Sequence, residues 1–391
     1  MPHSQTAGGD TPTALLALLR LALGNRATLP PMADSEWEAV FALAQRHAVA
    51  GMLFPTVSQF PEALRPPRHL LLSWFALAEQ TKRLNRQVDA DAVRLTAAFD
   101  RQGWPNVVLK GQGVARFYPD PSLRAPGDID LYVAAPRPEI VDFLRAHGRT
   151  PLIESYKDVA CRPFGGTLAE VHFRPAVMTC PWSEWRWRRF VAAQCGHLFR
   201  QSHMLSGGTI HVPHTAFDAV FLAVHIYRHL FYEGVGLRQI TDYACLLRHG
   251  LAAEERREAA ATLRRLGLRR FSAALSWVMA EGLGLGRDRL LFAPDASEGR
   301  FLLAEIMRGG NFRRSDAGRE PVSGDRLRRF VAVSAANAHL FRHYPREAVF
   351  CPLFTLWQYA WRLSRGQIPP ENLAPQGQPT THTEYQPKKT S

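Results

Sequence analysis

This chain of 391 residues has few lysines and no long uninterrupted apolar run. The lysines are Lys82, Lys110, Lys157, Lys388 and Lys389, so nearly all of the positive charge behind the formal net charge of +13 comes from arginine. A charge of this sign favours anionic partners: nucleotides, nucleic acid or an acidic membrane surface. A GC-rich genome also enriches arginine, so the charge by itself leaves both explanations open.

The cysteines indicate neither a disulfide framework nor a zinc site. There are five of them, widely separated, and none forms a Cys-x-x-Cys pair. They are Cys161, Cys180, Cys195, Cys245 and Cys351. An odd number of scattered thiols is typical of reduced cysteines, and we therefore expect a cytoplasmic protein.

No segment predicts a secretory signal or a transmembrane helix. The first residues, MPHSQTAGGDTPT, lack a charged region, and the apolar stretch that follows is short and interrupted by Arg20. The later run FCPLFTLWQYAWRL contains Gln358 and Arg362 and falls short of the ~18 clean apolar residues of a membrane span. We expect this run to form a helix packed on the protein body, with a membrane-surface or partner-binding helix as the alternative.

With 46% hydrophobic residues the chain can bury a large core, and its pattern changes along its length. The predicted regions are a flexible leader (1–12), N-terminal helices (13–103), an α/β core (104–213), a C-terminal helical region (214–365) and a disordered tail (366–391). In the core, PNVVLKG, DIDLYVA and TLAEVHFRP read as strands separated by helices. The predicted fold class is α+β: a small mixed sheet with helices, flanked by N-terminal helices and a C-terminal helical bundle.

One N-terminal helix is predicted over DSEWEAVFALAQRHAVAGMLF. Asp34 and Ser35 are candidates for its N-cap, and Glu38, three residues after Ser35, completes a capping-box pattern. A further helix is predicted from Arg68 and should end at Gly103.

Two aspartates stand one residue apart in the apolar run RAPGDIDLYV. Residues two apart in a strand project to the same face, so Asp128 and Asp130 should lie together while Ile129 and Leu131 enter the core. Two neighbouring carboxylates repel each other, and a divalent cation such as Mg²⁺ removes the repulsion. The motif predicts a metal clamp for phosphoryl or nucleotidyl transfer. The alternative is a pair of aspartates that cap backbone where a loop meets a strand.

Three features near this motif favour a site for phosphate and metal. Gly111, in LKG at the end of a strand, would let backbone N–H groups approach a phosphate, and Lys110 would add a positive charge. Arg124, four residues before the first aspartate, could grip a phosphate or neutralise the site. Glu170, in LAEVHFRP, could complete a metal site and accept the proton of an attacking hydroxyl, and His172 shares its strand face.

Together these motifs resemble the DNA polymerase β-type nucleotidyltransferase superfamily. More narrowly, VVLKGQGVARFYPDPSLRAPGDIDLYV followed by EVHF is similar to the bacterial uncharacterised nucleotidyltransferase family. The likeness extends to an LLxLxR helix, to LAQRHAV and to HIYRHLFYEGVGLRQITDYACLL, and it covers roughly residues 13–290. One departure is Gly111-Gln112-Gly113, where many superfamily members have Gly-Ser or Gly-Gly.

The resemblance implies an Mg²⁺-dependent enzyme that moves a nucleoside monophosphate from an NTP, ATP among them, to an acceptor hydroxyl and releases pyrophosphate. It implies that Asp128, Asp130 and Glu170 hold two Mg²⁺ ions, with Glu170 also the candidate base. The residues that it assigns to the nucleotide are Lys110, Gly111, Arg124 and Gly127. The acceptor stays open and is a small molecule, a protein or an RNA.

Other residues keep two interpretations each. His225 and His229 have the spacing of a zinc pair but no evident third ligand. Arg238 and Asp242 form either an intrahelical ion pair or, with His225, the cleft wall opposite the sheet. WSEWRWRRF either binds nucleic acid through Trp stacking and Arg contacts or packs Trp inward.

Two functions of other classes compete with the transferase. One is a non-catalytic nucleotide- or nucleic-acid-binding module on a retained transferase fold, which the basic charge favours. The other is a two-metal nuclease, which would need a water-activating group and no NTP.

Overall fold

A computed structural model of the protein describes residues 11–148, 152–163, 166–310, 335 and 337–365. It confirms the predicted α+β class, with a small mixed sheet between two sets of helices. The predicted tail lies outside the described residues, as does the predicted leader except for residues 11 and 12, which open the first helix.

The N-terminal region is helical, and it contains one break that the sequence pattern did not predict. Its helices are α1 (Thr11–Ala22), α2 (Asp34–Arg46), α3 (Ala50–Ser58) and α4 (Arg68–Asp100). The segment predicted as one helix is divided at Ala48, whose φ of 54° lies in the left-handed region. A residue in that conformation ends a helix, so α3 starts in a new direction.

The N-cap of α2 is Ala33, one residue before the predicted candidate Asp34 and two before the predicted candidate Ser35. The helix follows Ala33, whose backbone N–H donates to Glu36 Oε2 at 2.7 Å, so Glu36 replaces the predicted Glu38 in this contact. Asp34 lies in the first turn, where a negative charge is favourable beside the positive end of the helix dipole. A glutamate at the third helical position can reach back to the preceding backbone whatever side chain the cap residue carries.

The sheet has five strands in the order β1-β2-β5-β4-β3. They are β1 (Asn106–Val108), β2 (Ile129–Val133), β3 (Ile153–Glu154), β4 (Asp158–Cys161) and β5 (Ala169–His172). The β2–β5 pair is parallel and places Asp130 directly opposite Glu170, whereas the other three pairs are antiparallel. The strands β1, β2 and β5 match predicted ones, and β3 and β4 were not predicted.

Three helices and a hairpin complete this central part of the chain. They are α5 (Gln112–Ala115), α6 (Arg137–His147), α7 (Pro181–Leu198) and the strands β6 (Gln201–Leu205) and β7 (Gly208–Val212). The β6–β7 hairpin was not predicted, and it packs on α4 and β1. It therefore belongs to the same body as the sheet.

Two apolar clusters form the buried core. The smaller lies between the sheet, α4, α6 and the β6–β7 hairpin, and it contains Ile129 and Leu131. The larger joins α1 to α4 with the C-terminal helices. Because Ile129 and Leu131 enter the smaller cluster, the alternation of β2 turns Asp130 to the opposite face, which carries the candidate site.

The C-terminal region is a set of helices packed on that opposite face. They are α8 (Thr215–Tyr232), α9 (Leu237–His249), α10 (Ala253–Arg265), α11 (Arg269–Trp277), α12 (Ala296–Gly309) and α13 (Pro345–Ser364). The predicted packing of α13 on the body is partial, since its Phe354 and Trp357 rings meet Tyr156 but Leu353 and Leu356 are exposed. None of the described helices combines the length and apolar character of a membrane span.

His47, in LAQRHAV, links the N-terminal and C-terminal helices and should make stability depend on pH. It is fully buried, and its Nδ1 accepts a hydrogen bond from the backbone N–H of Leu237 at 3.2 Å, at the start of α9. Burial, with a smaller contribution from the charge of Arg46, lowers the pKa of His47 to about 4. The folded protein therefore keeps this histidine neutral at a pH where an unfolded chain would protonate it.

We expect the free energy of unfolding to fall as the pH drops from about 6.5 towards 4, because the unfolded state then binds a proton that the folded state does not. The loss attributable to His47 is about 3 kcal/mol at most. Urea unfolding at pH 7.0, 5.5 and 4.5 measures it against His47→Asn, whose amide oxygen can accept the same bond. If the free energy of unfolding fell equally with pH in the wild type and in His47→Asn, His47 would not be the cause of the pH dependence.

Candidate active site

Asp130, Glu170 and His172 lie together on the face of the sheet that the C-terminal helices cover. The parallel pairing of β2 and β5 sets Asp130 beside Glu170, and His172 follows two residues later on the same face. His172 Nε2 lies 3.0 Å from Asp130 Oδ1 and 3.7 Å from Glu170 Oε2. Each residue offers one possible ligand atom, and these atoms lie within 4.8 Å of one another.

Asp128 lies at the edge of this group. The strand β2 begins at Ile129, so Asp128 is the last residue of the preceding loop, and it is less buried than Asp130. Both aspartates nevertheless line one small cleft between the sheet and the C-terminal helices. The structure therefore brings the predicted pair together, and Asp130 rather than Asp128 belongs to the group formed with Glu170 and His172.

Two of the few lysines of this chain neutralise these carboxylates. Lys110 Nζ lies 2.9 Å from Asp130 Oδ2. Lys157 Nζ lies 3.5 Å from Glu170 Oε2 and also binds Asp158. Burial would lower the pKa of Lys110, but the surrounding carboxylates, Asp130 first among them, raise it above its ordinary value, so this lysine stays charged.

The carboxylates of the buried Asp130 and the partly exposed Glu170 differ in their electrostatics. Burial acts to raise the pKa of Asp130, but Lys110 and His172 hold it below its ordinary value. Burial, and after it the charges of neighbouring aspartates, raise the pKa of Glu170 to about 8 although Lys157 opposes them. A divalent cation fits this group of carboxylates, because its charge would offset the effects that raise the pKa of Glu170.

The predicted glycine turn lies beside the aspartates, since a Cβ on Gly111 would be 3.6 Å from the carbonyl oxygen of Asp128. Gly111, between β1 and α5, has a φ of 56°, a conformation that a side chain disfavours. A Cβ on Gly113 would come within 2.7 Å of the carbonyl oxygen of Val108, so this second glycine is required by the close approach of α5 to β1. Gln112 between them points away from the cleft, and its Nε2 donates to Asn85 at 3.2 Å. Gln112, the residue at which this sequence departs from the superfamily pattern, therefore links the glycine turn to α4.

The cleft unites the predicted nucleotide residues with the C-terminal helices. It is lined by Lys110, Gly111, Arg124, Gly127, Asp128, Asp130, His225, His229, Arg238, Gln239 and Asp242. The first six were predicted site residues, and Gln239 was not considered. Glu170 is the predicted metal ligand that is not among these lining residues, and it lies beside Asp130 on the neighbouring strand β5.

Arg124 lines the cleft but is already bound. It is buried, and its Nε and Nη2 donate to the two carboxylate oxygens of Asp242 at 2.8 Å each. Tyr118 Oη donates to the same carboxylate at 2.7 Å, and Asn85 donates to the carbonyl oxygens of Ser122 and Arg124. These contacts hold the loop before Asp128, so the geometry indicates that Arg124 positions this loop.

Arg238, in α9, contacts the backbone of the same loop. Its Nη1 lies 3.3 Å from the carbonyl oxygens of both Ala125 and Pro126. Asp242 forms an ion pair with Arg124, whereas an intrahelical pair with Arg238 was one interpretation of the sequence spacing. Both residues line the cleft, which is the other interpretation of their spacing.

The pair His225 and His229 forms the wall of the cleft that faces Lys110. Their ring centroids are 4.2 Å apart, and His229 Nδ1 lies 3.0 Å from Glu233 Oε2. Burial, together with the charges of His229 and Lys110, lowers the pKa of His225 well below its ordinary value. Among the described residues the metal-binding group is Asp130, Glu170 and His172, so the structure does not support a zinc site at these histidines.

Comparisons with known proteins identify a family that this chain matches. A family model described as an uncharacterised nucleotidyltransferase matches residues 33–284, a range that includes every residue of the cleft. No curated protein matches the chain. Among solved structures, a similar one is an antigenic nucleotidyltransferase-like protein from Paracoccidioides brasiliensis. It is 13% identical, the match covers 55% of this chain and 97% of that one, and the TM-score is 0.33.

Proposed function

Because the chain belongs to the uncharacterised nucleotidyltransferase family, we propose that it transfers a nucleoside monophosphate from an NTP to an acceptor hydroxyl. The cofactor would be Mg²⁺ and the second product pyrophosphate. The observation that carries the proposal is the pairing of Asp130 with Glu170 across two parallel strands, with Asp128 at the same cleft. The free cysteines are consistent with a cytoplasmic location for the reaction.

Asp128, Asp130 and Glu170 are the residues that would hold the metal. When bound there, two Mg²⁺ ions would supply charge stabilisation for the entering and leaving oxygens of an in-line displacement. His172 supports this assignment, because its contact with Asp130 Oδ1 orients that carboxylate.

The other groups of the cleft would bind the nucleotide and accept the proton. Lys110 and Arg238 add positive charge at the cleft for the phosphates, and the Gly111 turn leaves room for them. In the reaction the acceptor oxygen forms a bond to the α-phosphorus while the bond from that phosphorus to the pyrophosphate oxygen breaks. The hydroxyl proton passes to a base, for which Glu170 is the candidate.

Labelled nucleotides test this proposal directly. We expect that incubation of the protein with Mg²⁺, a cell extract and an NTP labelled at the α-phosphate will label one class of acceptor and release pyrophosphate. The same NTP labelled at the γ-phosphate should label nothing, because that phosphate leaves with pyrophosphate. Transfer of the γ-label would indicate a kinase and contradict the proposal. EDTA should stop the α-labelling.

One observation favours the second candidate, a non-catalytic nucleotide-binding module. Lys110 and Lys157 already offset the charge of Asp130 and Glu170, so these carboxylates are compatible with a metal-free site. Calorimetry with NTP and Mg²⁺, run beside a pyrophosphate assay, separates the two candidates. Binding without release, across small-molecule, protein and RNA acceptors, would favour the module.

A further inference from the structure

The tryptophans of α7 are divided between the core and the surface. Trp187 is 1% exposed, and its Nε1 donates to the carbonyl oxygen of Ala176 at 2.9 Å. Trp182 and Trp185, three residues apart on the same helix, are 64% and 57% exposed. Inward packing therefore explains Trp187 alone. The Trp182 ring meets Phe350 of α13 edge to face, with ring centroids 5.7 Å apart, so the exposed Trp185 ring is the one that indicates a binding function.

A groove between α7 and α10 adjoins these rings. Its volume is about 440 Å³, within the range of ligand sites. Trp185 and Phe190 supply aromatic surface, and Arg186, Arg189 and Arg265 also line it. The groove and the candidate active site have no lining residue in common.

The charges of the groove are arranged for an anion. Arg189 places its guanidinium 4.8 Å from the centre of the Trp185 ring, and Arg186 Nη1 donates to the carbonyl oxygen of Arg265 at 2.7 Å. Among the described residues, no carboxylate lies within ion-pair distance of these three guanidinium groups. The acidic residue of the groove, Glu258, accepts a hydrogen bond from Gln194 at 2.9 Å. The guanidinium groups therefore keep their charge available to a ligand.

We infer that this groove binds a single-stranded nucleic acid. Exposed aromatic rings stack on unpaired bases, and arginines beside them bind the phosphates that link those bases. Three arginines along one groove suit the linked phosphates of a strand better than one free nucleotide. The formal net charge of +13 favours the same polyanion. This binding is separate from the proposed transfer, because the groove contains none of the three catalytic carboxylates.

Fluorescence anisotropy with a labelled 12-nucleotide RNA and the matching DNA strand tests the inference. We expect the wild-type protein to bind, and Trp185→Ala to weaken binding about 5- to 150-fold at constant salt. Arg189→Gln should weaken it as well and lower the slope of log K against log salt by about 0.7 for one lost phosphate contact. The same sequence as a duplex should bind more weakly, since its bases are not free to stack.

Two controls separate this site from net charge and from catalysis. Arg257→Gln removes the same charge from α10 outside the groove lining and should bind like the wild type. Asp128→Ala, which removes a proposed metal ligand, should also keep full RNA binding. The inference fails if the wild type does not bind, if Trp185→Ala is neutral, or if Arg257→Gln matches Arg189→Gln. It also fails if Asp128→Ala loses binding, since the strand would then lie in the catalytic cleft.

Discussion

Asp128→Ala is expected to lower nucleotide transfer by on the order of 10³-fold or more, because it removes a proposed metal ligand from the reacting centre. The fold should be unaffected, since Asp128 is a partly buried loop residue outside the sheet. We expect the free energy of unfolding to change by less than about 0.5 kcal/mol. Pyrophosphate release and urea unfolding, measured on the same preparation, check both parts of the prediction.

Asp130 needs a different substitution. It is buried and paired with Lys110, so alanine would remove the partner of a buried ammonium group as well as a metal ligand. Asp130→Asn keeps the volume and the contact with His172 and should still lose transfer. Asp142→Ala, an exposed carboxylate of α6, is the matched control and should behave like the wild type. Wild-type transfer by both Asp128→Ala and Asp130→Asn would overturn the metal assignment.

The central strand was predictable because its pattern is local. Strand alternation buries Ile129 and Leu131 and turns Asp130 to the other face, and the structure has this arrangement. The pairing of Asp130 with Glu170 was not predictable from periodicity, because it depends on which two distant strands become neighbours. Glu170 was therefore a candidate only because it is an acidic residue between apolar neighbours, and the family resemblance implied the same role.

The missed strands have two different causes. The β6–β7 hairpin has a sequence pattern typical of hairpins, because its two five-residue strands are joined by Ser206 and Gly207. It was not predicted, because the pattern directly follows the Trp- and Arg-rich helix. The strands β3 and β4 are short and include Glu154 and Asp158, residue types that are depleted in strands. Lys157 and Asp158 were therefore not predicted as site residues, although Lys157 contacts Glu170 and Asp158 contacts Lys157.

The binding partner of Arg124 could not be predicted from the local sequence. A basic residue just before an Asp-x-Asp motif suggests a phosphate contact. Its carboxylate partner Asp242 is 118 residues away in α9, and nothing in either local sequence indicates the pair. The cleft therefore depends on the C-terminal helices for the geometry of the loop that carries Asp128 as well as for its opposite wall.

Asp242→Ala should be the most destabilising of the substitutions considered for this protein. It leaves the buried Arg124 guanidinium without its carboxylate and Tyr118 Oη without its acceptor. Breaking one partner of a buried ion pair typically costs about 3–5 kcal/mol, and we expect the free energy of unfolding to fall by that amount. Transfer should fall too, since the loop that carries Asp128 loses its anchor on α9.

The double variant Arg124→Met/Asp242→Met separates the buried charge from the loop geometry. It removes both charges, so it should be less destabilised than Asp242→Ala in urea unfolding, because no unpaired guanidinium stays buried. Its transfer activity should stay low, because the link between the loop and α9 is still missing. The exposed pair Asp142–Arg145 gives the scale for comparison, and Asp142→Ala should cost about 0–1 kcal/mol. If Asp242→Ala also cost about 0–1 kcal/mol, the Arg124–Asp242 pair would not be what holds the loop that carries Asp128.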